Sequence, residues 1–78
     1  MWIVGYPESP ATRHETWNEA RDALVWSLDN LLLTEFRDFP RKSILKLIAL
    51  LERCSEPQEV NYCAAGRYWW IEEKGENQ

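Results

Sequence analysis

With 78 residues the chain can hold one domain only, since the first core leaves too little for a second. Hydrophobic residues make up 45% of it and include five tryptophans, which excludes a disordered chain. The net charge of −4 argues against a general nucleic-acid binder, yet the charge is uneven: residues 1–36 carry six acids and two bases (−4), 37–54 five bases and two acids (+3), and 55–78 two bases and five acids (−3).

Met1 to Pro7 is short, apolar and aromatic and is closed by Pro7 and then Pro10, which predicts a strand running into a loop. The start lacks the positive region and apolar stretch of a signal peptide, and no apolar run approaches the roughly 18 residues of a membrane span, so the expectation is a cytoplasmic chain without membrane contact. The loop from Glu8 to Glu15 is polar and carries the only histidine, His14.

Thr16-Trp17-Asn18-Glu19 fits a capping box, and Thr12 with Glu15 offers a second one. From Trp17 to about Leu33 or Phe36, steps of 100° gather Trp17, Ala20, Leu24, Val25, Leu28, Leu31 and Leu32 on one arc, the mark of an amphipathic helix. Trp26 and Leu33 fall on the opposite, polar side among Glu19, Asp22 and Asn30, where they form an apolar stripe suited to contact with another chain. The competing reading is that a neighbouring segment folds over them.

Asp38-Phe39-Pro40 then predicts the start of a second helix, with proline at its first position, running to about Cys54. Ile44, Leu47, Ile48 and Leu51 make its core face, and Leu45 and Leu50 its shoulders. Lys42, Lys46 and Arg53 lie opposite, with Arg37 and Arg41 near the helix start. Such a basic face can grip phosphates, but it is more simply an ordinary solvated surface. Nucleic acid is the alternative partner, disfavoured by the acidic flanks.

Ser55-Glu56-Pro57 stops the helix. Glu59 to Cys63 and Arg67 to Glu73 are rich in Val, Tyr, Trp and Ile and are joined by Ala64-Ala65-Gly66, predicting a hairpin. Residues 1–73 thus form a single α+β domain, and 74–78 a polar tail. The expected order is β-α-α-β-β: a three-stranded antiparallel or mixed sheet with two helices packed on one face.

Both rows of sheet side chains are apolar. Trp2, Val4 and Tyr6 oppose Ile3 and Gly5 in the first strand, and Tyr68 and Trp70 oppose Trp69 and Ile71 in the last. Helices on one face leave a row of large aromatics uncovered, drawn from Trp2, Tyr6, Tyr68, Trp69 and Trp70, and such a patch marks a binding surface. Otherwise these side chains are core of a tiny domain.

Catalysis lacks its parts. The one histidine is remote in sequence from Cys54 and Cys63, Glu72 and Glu73 fall on opposite strand faces, and the three glycines are isolated. The expectation is a chain with no catalytic residue, no metal and no cofactor. In a reducing compartment the two cysteines are expected as buried free thiols rather than a disulfide.

The opening Trp2-Ile3-Val4 strand, the helix start Thr16-Trp17-Asn18-Glu19-Ala20-Arg21 and the closing Gly66-Arg67-Tyr68-Trp69-Trp70-Ile71 together resemble the small accessory proteins of actinobacterial viruses such as mycobacteriophages. The resemblance spans most of the chain and assigns no site residue. It implies a protein that binds a host protein and modulates or inhibits it, in the host cytoplasm, and self-association of the chain is the companion expectation.

Overall fold

A computed structural model describes residues 1–7, 9–33, 41–64 and 66–75. The elements run β1 (Trp2–Gly5), β2 (Thr12–His14), α1 (Trp17–Leu33), α2 (Arg41–Arg53), β3 (Val60–Ala64) and β4 (Arg67–Glu73). Among the described residues the chain is an α+β unit with two helices, and its sheet has four strands rather than three, in the order β2-β1-β4-β3 with every pair antiparallel. The extra strand lies in the segment expected to be loop. Its side chains are all polar, so no apolar alternation announces it; β1 offers a free edge, and three residues after Pro10 pair with it.

Thr12 therefore belongs to β2 and does not cap a helix. The box that forms is the other one: the Glu19 amide donates to Thr16 Oγ1 (3.2 Å), and the Glu19 carboxylate accepts from the Glu15 amide (3.3 Å). The expected start of the second helix at 38–40 lies outside the described residues. The final hairpin is displaced by one residue in β3, which begins at Val60, and Gly66 takes φ 75°, the left-handed conformation that suits glycine in a tight turn. Past β4, the Lys74 amide still donates to the Met1 carbonyl (2.8 Å).

The register decides which sheet row the helices cover. Val4 pairs with Ile71, Ile71 with Val60, and Trp69 with Tyr62, so these share a face with Trp2 and Ala64. That face packs with Trp17, Ala20, Leu24 and Leu28 of α1 and Ile44, Ile48 and Leu51 of α2 in one core. Trp2 and Trp17 meet edge to face, with centroids 5.5 Å apart. Helix α1 lies directly on β1, β2 and β4, whereas α2 packs against α1 and reaches the sheet through longer side chains, the Tyr62 hydroxyl donating to Ser43 Oγ (3.3 Å). No polar or charged residue is buried among the described residues, and the core is apolar but for the buried Trp17 Nε1, which has no hydrogen-bond partner.

Candidate protein-contact surfaces

The helix-free face carries Ile3 and Gly5 of β1, Arg13 of β2, Tyr68, Trp70 and Glu72 of β4, and Asn61 and Cys63 of β3. Gly5 is opposite Trp70, and the indole lies over it so closely that a Cβ on residue 5 would clash with the ring. Glycine is thus required here by a close approach: it gives the indole a flat seat on the sheet. Tyr68, two residues on along the same face, is 60% exposed. Where β1 leaves the sheet and the β3–β4 turn closes, Tyr6, Pro7, Gly66, Arg67, Tyr68 and Trp70 surround an open recess of about 300 Å³.

Of the sheet aromatics named from the sequence, Trp2 (8% exposed) and Trp69 (2%) are core, which removes them from any contact surface. Tyr6 and Trp70 are half-buried, and Tyr68 is the exposed member. Pro7 and Arg67 were not singled out from the sequence, because only the strand register brings the end of β1 beside the β3–β4 turn around the recess.

On α1, Trp26 is 69% and Leu33 82% exposed, so no described segment folds over them. The Ser9–Thr12 stretch instead runs alongside Trp26, and together with Tyr6 and Ser27 they border a groove of about 420 Å³. Tyr6 lines both recesses. Its hydroxyl lies 2.8 Å from Thr12 Oγ1, which lies 2.7 Å from His14 Nε2. This chain ties the tip of β1 to edge strand β2. A histidine beside a hydroxyl is a fragment of acyl-transfer chemistry, but among the described residues no carboxylate orients the other ring nitrogen.

The cations of α2 stay outside. Arg41, Lys42, Lys46 and Arg53 are exposed, Arg41 donating to the Leu32 carbonyl (2.9 Å) and Arg53 to the Ala49 carbonyl (3.4 Å); Arg37 lies outside the described residues. Both cysteines are free, but not buried as expected. Cys63 is exposed on the helix-free face, and Cys54 is half-buried, its sulfur within hydrogen-bond distance of the Glu56 carbonyl and the Gln58 amide. Among the described residues no group of three or more His, Cys, Asp or Glu stands close enough to hold a metal ion, and no helix is long and apolar enough to cross a membrane.

No protein-family model, curated protein or solved structure matches this chain.

Proposed function

We propose that the chain is a non-enzymatic protein-binding module that takes a partner protein on its helix-free sheet face. The observation that carries this is the Trp70 indole seated flat on Gly5 beside exposed Tyr68, with Tyr6 and Pro7 closing the recess at the end of the sheet. Aromatic side chains held on a rigid strand offer large contact area at little cost in conformational entropy, which is why tyrosine and tryptophan dominate the energetic centres of protein interfaces. Arg13 and Glu72 supply a charged rim around that apolar centre. The resemblance to phage accessory proteins makes a host protein the expected partner and its modulation or inhibition the outcome.

Nucleic acid is the weaker reading. The described cations of that reading, Arg41, Lys42, Lys46 and Arg53, stand on α2, on the other side of the sheet from Tyr68 and Trp70, so one strand cannot combine those cations with the sheet aromatics.

Affinity capture from an actinobacterial lysate tests the proposal when wild type is compared with Tyr68→Ser, a surface change that spares the core. A defined protein retained by wild type and lost by the variant supports it. Equal retention by both places the contact elsewhere.

A further inference from the structure

We infer that two copies of this chain pair through their helices, α1 of each lying over α2 of the other, with the sheets outermost. The outward stripe of α1 is Glu19, Asp22, Trp26, Asp29 and Leu33, spaced 3-4-3-4 and exposed throughout. Its charges are all acidic; Arg21, the only base of α1, lies off the stripe, where it pairs with Asp22 (3.1 Å) and donates to the Cys54 carbonyl. The outward stripe of α2 is Lys42, Lys46, Ala49 and Arg53, spaced 4-3-4 and equally exposed. Its charges are all basic, and it is flanked by Leu45 (51% exposed) and Leu50 (56%). Both stripes follow the 3.5-residue spacing along which helices pack side by side, and each holds apolar side chains among charges of one sign, opposite to the other's.

The symmetry follows from those signs. A two-fold axis between two facing helix layers can run parallel to the helices or across them. Across them, α1 stacks on α1, acid on acid. Parallel to them, α1 stacks on the partner's α2, acid on base, and the same contact is made twice.

The levels also match. Within one chain the helices are antiparallel: Arg21 reaches Cys54 (3.4 Å) and Arg41 reaches Leu32 (2.9 Å). An axis parallel to the helices can preserve those levels across the interface, so that Asp22 stands opposite Arg53 and Asp29 opposite Lys46. Trp26, the largest side chain of one stripe, then meets Ala49, the smallest of the other. A chain this short buries only about 60% of its unfolded surface, and a helix-to-helix contact adds apolar burial that its own core lacks. The arrangement leaves both aromatic sheet faces open and would make the assembly bivalent for a partner.

Charge reversal with mixing is the test, read as mass by light scattering after size exclusion. Wild type is expected at twice the 9.3 kDa chain mass across the micromolar range. The double variant Asp22→Lys with Asp29→Lys, and separately Lys46→Asp with Arg53→Asp, are each expected at monomer mass. An equimolar mixture of the two is expected to recover the dimer, because both of its contacts are again acid on base. A monomeric wild type, a reversed variant that remains dimeric, or a mixture that stays monomeric overturns the inference. Should a reversed chain fail to fold, the wild-type dimer in rising salt decides: partial dissociation is expected from screening, and indifference to salt overturns the pairing. Neither reversal touches Tyr68 or Trp70, so loss of the dimer and loss of partner capture are separate results.

Discussion

Replacing Gly5 by alanine probes the seat of Trp70. A glycine inside a strand ordinarily costs about 0.5–1 kcal/mol relative to alanine, so the change would stabilise an empty site. Here the new Cβ would clash with the indole of Trp70, and since that side chain is half-buried on an open face, its way out is to swing off the sheet. Lifting one face of the ring returns roughly 80 Å² to water, of the 150–250 Å² an aromatic can bury, a loss of about 2 kcal/mol at ~25 cal/mol/Å². The expected net is a destabilisation of about 1–1.5 kcal/mol, which lowers Tm by roughly 5–10 °C in a domain of this size. With Trp70→Ala already in place, the same substitution is expected to reverse sign and stabilise by about 0.5–1 kcal/mol. The four chains of this double-mutant cycle are compared by urea and thermal unfolding followed by far-UV circular dichroism, which does not depend on the tryptophan removed. An equal effect of Gly5→Ala in both backgrounds, or a stabilised single variant, refutes the seat.

Leu28 is fully buried and Leu33 is 82% exposed on the same helix; Leu28→Ala is expected to cost about 2–5 kcal/mol in denaturant unfolding and Leu33→Ala, in dilute solution, less than about 0.5. Thr16→Ala removes the acceptor for the Glu19 amide and is expected to lower stability by about 0.5–2 kcal/mol, with Thr16→Ser retaining most of it. Cys63 is expected to be alkylated faster than Cys54 when native protein is treated with iodoacetamide and its peptides are weighed, because Cys63 is exposed while Cys54 is half-buried and hydrogen-bonded.

Much of the fold was legible because its signals are local. The arc from Trp17 to Leu32, the Thr16 cap and the glycine turn at Gly66 each depend on residues a few positions apart, and each element formed where those signals put it. Strand β2 was not legible, because Thr12, Arg13 and His14 carry no apolar alternation and pair only in answer to the edge that β1 presents. The choice of covered sheet face was hidden in β1 and β4, where both rows are apolar. It was present in β3, whose Val60, Tyr62 and Ala64 alternate with Asn61 and Cys63; carried across the hairpin register, that row puts Trp69 and Ile71 inside and Tyr68 and Trp70 outside. Trp2 follows Trp69 into the core by the same pairing, through β4. The recess at Tyr6 and Pro7 needed the long-range β1–β4 pairing, which no local spacing encodes.

Apart from Met1, the exposed large apolar side chains among the described residues fall into two sets on opposite sides of the sheet: Tyr68, beside half-buried Trp70, on the open face, and Trp26, Leu33, Leu45 and Leu50 on the helices. The helical set is interleaved with charges of opposite sign on the two helices, which suits it to a second copy. The open-face set has Arg13 and Glu72 only at its margin, which suits it to a different protein.

The most direct measurement is photo-crosslinking from the open face. A benzoyl-bearing aromatic residue placed at position 68, and in a control chain at exposed position 56 beyond α2, is irradiated in an actinobacterial lysate and the adducts are identified by mass. One or a few defined host proteins are expected to be joined at position 68 and absent from position 56. The same adducts from both positions, or none from position 68, would contradict it.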